Sequence, residues 1–399
     1  MTNVVFDMNN MFFRSLYVLG GFGQKQFTFD NKEELDSLIR KLSMDISFLI
    51  RLINPSRVIF AVDDKSWRKD IYIEENEGYK GHRTQSKMIN WVNLYSALDE
   101  FMDIVQDNGM IVTKIKNAEA DDSLSLWRDE LLYNQKQHVI LVSGDEDIRQ
   151  LVTHSIDDKG KKIFSTVFNP FMQGKNAARK LYVPENIFNR WMDDIEVSDI
   201  WNMDATIDVD KRDFDRIRNT EKIRVEEVNG NEIAMRKIFC GDDGDNIPSI
   251  YTWMTKTGSG NDKEVRITNS KYVKIIKGIE NSPGELIKPG MLIKRKDKIF
   301  NEIKKICEHT PTFKIEERLK RQIKLVLLDC TIFPIKIVET FHKMKKEELL
   351  KPRPEIANIN MYTMLQGTSY VKTSKRGSYN GNEASIFKDL DKLPSKKLF

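Results

Sequence analysis

Carboxylates arrive in this chain in short groups, each placed where an α/β protein could use it for chemistry. Val4-Val5-Phe6 ends at Asp7, Val58 to Val62 ends at Asp63-Asp64, and Val139 to Val142 runs into Ser143-Gly144-Asp145-Glu146-Asp147. A fourth group, Glu119-Ala120-Asp121-Asp122, precedes the helical run Leu124 to Leu132. A fifth, Gly241-Asp242-Asp243-Gly244-Asp245-Asn246-Ile247-Pro248, follows an amphipathic run from Glu232 to Phe239. Each group alone has a bland explanation: acids in a first helical turn complement the macrodipole, and Gly, Asp, Asn and Pro are turn residues. Brought to one edge, the same acids would repel one another, and hard divalent cations with oxygen ligands are the common remedy. The expected chemistry is a cation site at the carboxyl ends of the strands, where ligands collect in open α/β sheets.

The elements that must position these acids follow from apolar patterning. The three Val/Ile-rich runs before Asp7, Asp63 and Asp145 fit strands buried on both faces of a parallel sheet. Helical spacing lies between them, in Leu35, Leu38, Ile39, Leu42, Ile46, Leu49 and Ile50 after an Asp30-Asn31 start, and again from Trp91 to Val105. Strands alternating with helices predict an α/β parallel-sheet core over residues 1–150. Residues 151–231 are less regular and read as a charged insertion, with a hairpin around Lys162 to Asn169 and a highly charged stretch from Asp193 to Glu227. Residues 232–340 read as a mainly helical, basic region. Residues 341–399, with Pro352, Pro354 and a Gly/Ser/Asn patch near Gly377, read as a flexible tail.

At 399 residues the chain can bury a large core without covalent staples. Cys240, Cys307 and Cys330 lie far apart, without CxxC spacing or paired histidines, so neither a zinc ribbon nor a disulfide scaffold is expected. No apolar run approaches a membrane span, and Asp7 interrupts the N-terminal one; a soluble protein of a reducing cytoplasm is the expectation. Lys and Arg exceed Asp and Glu by only 64 against 60, so distribution rather than net charge points to nucleic acid: basic residues concentrate after Lys263, as in Lys294-Arg295-Lys296 and Arg318-Leu319-Lys320-Arg321. Of the histidines, His82 lies in a basic stretch, His138 starts a strand, and the others fall outside every group; all read as surface residues.

Six motifs in a fixed order carry a resemblance: Asp7 after a strand, Asp63 with Trp67-Arg68-Lys69, Tyr79-Lys80-Gly81-His82-Arg83, Glu119 to Asp122, Ser143 to Asp147 with Gln150-Leu151, and Gly241 to Asn246. The chain thereby resembles the flap endonuclease and 5′ exonuclease family, including its ribonuclease H branch in T-even phages. The resemblance covers residues 1–151 well and 232–340 in part. It implies a PIN-like nuclease domain followed by a helix-three-turn-helix region that grips duplex DNA. It also implies a 5′ nuclease using two Mg²⁺ ions, replaceable by Mn²⁺. Carried over residue by residue, Asp7, Asp63, Glu119, Asp121 and Asp145 correspond to ligands of one metal, Asp147, Asp242 and Asp245 to those of the other, and Asp122 to an outer-shell acid. Lys80 and Arg83 correspond to residues holding the scissile phosphate, with Tyr79 available to stack on a base. Gly258 and Gly260 would contact duplex backbone, at a longer distance from Pro248 than in the family.

Implied substrates are DNA with 5′ flaps, nicks or 5′ ends, and RNA:DNA hybrids, cut by a monomer. A single-stranded DNA-binding protein and a sliding clamp are the implied partners. The ending Leu398-Phe399 resembles short clamp-binding peptides, with Ile386-Phe387-Lys388-Asp389-Leu390 as a competing segment and an end folded back on its own domain as the alternative. Two other readings compete. An inactive nucleic-acid scaffold would be expected to have lost several of these acids, yet all are present. A PIN-type endoribonuclease would lack the Gly241–Pro248 motif and the basic helical region after it.

Overall fold

The computed structural model describes residues 2–20, 27–71, 73, 78–83, 86–171, 178–185, 223–256, 261–307, 314–351 and 361–365. Its centre is a sheet whose first four strands are parallel, in the spatial order β3-β2-β1-β4: β1 (Thr2–Asp7), β2 (Arg57–Val62), β3 (Ile111–Lys114) and β4 (His138–Val142). Beyond β4 lies β6 (Lys162–Asn169), parallel to it; β5 (Thr153–Ile156) and β7 (Arg179–Pro184) both pair antiparallel with β6, and β8 (Ile223–Val228) runs parallel to β7. All residues of β1 and β4 are buried, as the uninterrupted apolar runs require of a sheet covered on both faces.

Side chains of a strand alternate between faces, and the two cores divide accordingly. Val4, Phe6, Val58, Phe60, Ile140 and Val142 pack under α1 (Met8–Leu19), α2 (Lys32–Ile53) and α3 (Trp91–Asp107). Val5, Ile59, Ala61, Val139 and Leu141 pack under α4 (Ala120–Asp129). The Asp30-Asn31 start expected for α2 is seen: the Asn31 side chain accepts from the Glu34 N–H at 2.9 Å. The helix stops at Asn54, whose φ of 47° is the left-handed conformation that closes helices.

The segment expected as an insertion is partly sheet. Lys162 to Asn169 is one strand, not a whole hairpin, and its antiparallel partner β5 lies before it. β5 to β8 extend the central sheet, so this stretch contributes to the core; residues 186–222, most of the charged segment, lie outside the described residues. A second difference is His138, which is 5 % exposed, accepts from the Phe164 N–H through Nδ1 at 3.0 Å, and has its pKa pushed down to about 3, first by burial. It is a core residue whose ring satisfies a backbone donor.

From residue 230 the described residues are mainly helical, in α5 (Gly230–Cys240), α6 (Asn269–Ile279), α7 (Lys296–Cys307), α8 (Ile315–Val326), α9 (Ile335–Leu350) and α10 (Met361–Met364), with a two-stranded ribbon of β9 (Thr252–Lys256) and β10 (Asp262–Arg266) among them. The Gly258 and Gly260 positions lie outside the described residues, as do 366–399 with both clamp-peptide candidates. No described helix is long and apolar enough to cross a membrane.

Residues 341–351 and 361–365, expected as part of a flexible tail, are ordered elements of the fold. Phe341 is 1 % exposed and meets Trp127 edge-on at 5.1 Å, while Met361 and Leu365 are fully buried against the α1–α3 core. Apolar positions that lack continuous periodicity find their partners only across the tertiary structure. Phe341→Ala is expected to lower unfolding stability by about 3–5 kcal/mol, the usual cost of emptying a buried Phe site. A chemical-denaturation midpoint unchanged from wild type would show that α9 is an appendage after all.

Candidate active site

Strand register decides which acids meet. Phe6 lies opposite Phe60 on one side and Val142 on the other, so Asp7, Asp63 and Asp145 leave the same edge of three adjacent parallel strands. α4 starts at that edge too, with Glu119 as its N-cap. Asp7, Asp63, Glu119, Asp121 and Asp145, together with Lys80 and Arg83, line one cavity of about 470 Å³. Asn9, Asn10, Phe13, Arg14 and Tyr17 complete its wall.

Each acid is fixed by its neighbours. Asp7 caps α1, accepting from the Asn10 N–H at 3.0 Å and from the Ser143 hydroxyl at 2.8 Å. Asp63 accepts from the Ala120 N–H at 2.6 Å, and its own N–H donates to Asn9 at 2.8 Å. Asp145 receives the Asp147 N–H at 2.9 Å. Glu119 accepts from Lys80 at 2.6 Å, Ser66 at 2.8 Å, Tyr79 at 3.1 Å and Arg68 at 3.3 Å. Asp122 is fully buried behind it, held by Arg68 at 2.8 Å and the Trp67 indole at 3.1 Å, and reaches the cavity only through these partners.

Tyr79 does not stand ready to stack on a base. It is 5 % exposed, part of the helical region's core, and its hydroxyl donates to Glu119 and Asp245. Its turn is tied to the Gly241–Pro248 loop: the Lys80 N–H donates to the Asp245 carbonyl at 2.8 Å, and Arg83 contacts the Gly244 carbonyl at 3.1 Å and the Asp245 carboxylate. Gly241 opens that loop at φ 79°, and a Cβ there would stand 2.4 Å from the Ile247 carbonyl oxygen, so only glycine fits. Asp147 and Asp242 are both ion-paired to Lys237 of α5.

The electrostatics split the acids in two. Burial and the charge of Asp63 push Asp7 up to about 7; burial, opposed by the Ala120 N–H, leaves Asp63 raised to about 6. Burial and the charges of Asp145 and Asp7 raise Asp121 strongly. Burial works against ionising Glu119 as well, but Lys80 and Arg68 outweigh it and hold that carboxyl at about 2. Asp7, Asp63, Asp121 and Asp145 are thus a set of hard oxygen donors without ion pairs among the described residues, a donor chemistry that fits a divalent cation. Among the described residues, no three Asp, Glu, His or Cys side chains close into a group that would hold a metal ion as they stand. Like charges held apart by separate anchors leave an open wall instead.

The raised carboxyls set the pH dependence of stability. A carboxyl protonated more easily when folded contributes stability that is complete below its unfolded value, 3.8 for Asp7, and is lost as pH rises toward about 7. Metal-free protein is therefore expected to melt at a lower temperature at pH 8 than at pH 6, and Asp7→Asn to regain on the order of 1–3 kcal/mol at pH 8. Thermal melts in EDTA check this; a lower melting point for Asp7→Asn at pH 8 would contradict it.

Several cavity residues had only faint sequence signals. Asn9 and Asn10 follow a strand-end acid at the head of an otherwise apolar helix, a polar interruption that marks anchoring amides. Asn10, Phe13, Arg14 and Tyr17 share one face of α1 by their three- and four-residue spacing. Arg68 stands in the basic turn after Asp63, but its pairing with Glu119 and Asp122 is not marked locally, because both acids lie more than fifty residues on; Lys237 pairs with Asp242 five residues on, and its second partner, Asp147, lies far earlier in the chain.

Residues 2–180 match the family model of the 5′-3′ exonuclease N-terminal, resolvase-like domain. No curated protein matches the chain in sequence. Solved structures to which the chain shows similarity include the T5 D15 protein co-crystallised with metal ions, at 16 % identity over 88 % of this chain and 98 % of that one, TM-score 0.48. The T5 5′-exonuclease with bound zinc is 17 % identical over the same shares, TM-score 0.47. Human GEN1 in complex with Holliday junction DNA is 12 % identical over 91 % of this chain and 71 % of that one, TM-score 0.39. Residues 2–180 of this chain are thus similar to the N-terminal, resolvase-like domain of 5′-3′ exonucleases.

Proposed function

We propose that the protein is a 5′ nuclease dependent on divalent cations, hydrolysing phosphodiester bonds near the 5′ ends of strands in flapped, nicked or RNA-primed duplexes. The observation that carries this is the uncompensated set Asp7, Asp63, Asp121 and Asp145 facing Lys80 and Arg83 across one cavity. Mg²⁺, or Mn²⁺ in its place, would be held by those four carboxylates and would supply an activated water and charge for the leaving oxygen. Lys80 stays positively charged, because Glu119, Tyr79 and Asp245 outweigh the burial that opposes its charge. Its ammonium and the Arg83 guanidinium are placed to bind the non-bridging oxygens of the phosphate and to steady the charge that develops there. Arg68 keeps Glu119 in place and touches no substrate. Phe13 and Tyr17, on the cavity wall, offer ring faces to the nucleotides beside the scissile bond.

Strands labelled separately at their 5′ and 3′ ends, in flap, nicked and RNA:DNA forms, test the reading. Short products from the 5′ end, formed with Mg²⁺ or Mn²⁺ and absent in excess EDTA, are the expected result. Full cleavage in EDTA would overturn it.

A further inference from the structure

Lys237 joins two acids that come from separate parts of the chain. It projects from α5, and its ammonium is ion-paired both with Asp147, just after β4, and with Asp242, in the loop that follows α5. The three side chains are sheltered, 15 %, 19 % and 20 % exposed, so the contact is not an ordinary surface pair. Asp242 also accepts the Gly244 N–H at 2.8 Å, which fixes it in that position. The third acid of this group, Asp245, pairs with Arg83 and lies 3.7 Å from Lys80. This half of the acidic edge carries its own cations, while Asp7, Asp63, Asp121 and Asp145 make no ion pair among the described residues.

We infer that Lys237 is a built-in counter-cation whose ammonium must leave before a divalent ion can bind between Asp147 and Asp242. Resting on the metal-dependent reading above, this makes the two halves unequal. One ion is taken readily by the uncompensated acids. A second binds weakly as long as Lys237 holds its two carboxylates, and an anionic substrate phosphate is a group able to draw the lysine away. The chain would thus delay full loading of its site until nucleic acid is present.

Titration of the full-length, substrate-free protein with Mn²⁺, followed by calorimetry or by the electron paramagnetic resonance of free ion, tests the inference. Wild type is expected to take up one tight equivalent and a much weaker second. Lys237→Met, similar in volume but uncharged, should bind the second equivalent at least about tenfold more tightly, a change of about 1.4 kcal/mol; Lys237→Arg should behave as wild type. An unchanged second affinity in Lys237→Met would overturn the inference. Should that variant fail to fold, acylation of Lys237 in wild type, followed by mass spectrometry, gives an independent reading. Its reactivity should rise as Mn²⁺ exceeds one equivalent, and flat reactivity would equally overturn the inference. Absence of any Mn²⁺ binding by wild type would instead remove the metal-dependent reading itself, and this inference with it.

Discussion

Asp63→Asn and Asp145→Asn are each expected to slow cleavage by about 10³-fold or more, while duplex binding stays within a few-fold of wild type. Both acids stand at the carboxyl edge of the parallel strands and line the same cavity, without a cationic side chain paired to either among the described residues. An amide keeps the shape and the local hydrogen bonds: in Asp63→Asn the Ala120 N–H can still reach the side-chain carbonyl oxygen. It loses the negative charge that a cation needs. Loss of one electrostatic stabiliser in a sheltered site typically costs two to three orders of magnitude in rate, and removal of a metal ligand at least as much. Nucleic-acid affinity depends instead on phosphate contacts made by basic side chains, which these changes leave in place. Single-turnover rates beside filter-binding or anisotropy titrations check this. A variant cutting at the wild-type rate would remove its residue from the catalytic set.

Lys80→Ala should lower the single-turnover rate by about 10²-fold, with binding weakened far less, because a charge that matters most in the transition state appears in the rate rather than in ground-state affinity. Lys80 is held in a tight turn at φ 55° by the bond from its N–H to the Asp245 carbonyl, and its ammonium is sheltered at 16 % exposure. Arg83 is 55 % exposed, so solvent screens its charge more and a loss of only about tenfold is expected for Arg83→Ala. The ordering is itself a test. If Arg83→Ala proves the more damaging, the phosphate is gripped from the rim of the cavity and Lys80 serves Glu119. Wild-type rates for both variants would detach the Tyr79–Arg83 turn from the chemistry.

Much of this was legible in the chain itself. Asp7, Asp63 and Asp145 could be placed at one edge because fully apolar strands have one reading, buried on both faces, and the residue after such a strand emerges at its carboxyl end. The helices after Asn31 and from Trp91 were legible because cap and periodicity agree within one local stretch. The tertiary structure alone decided what depends on partners distant in sequence. β5 to β8 joined the sheet through pairings that no local pattern announces, and Phe341 and Met361 became core residues because Trp127 and Ser47, their partners, stand far earlier in the chain. Tyr79 turned inward because two acids, Glu119 and Asp245, converge on its hydroxyl. Residue types and order determined which groups could do chemistry; only the packing determined that Lys237 neutralises two of the acids while four others, anchored apart along one cavity, pair with no cation among the described residues.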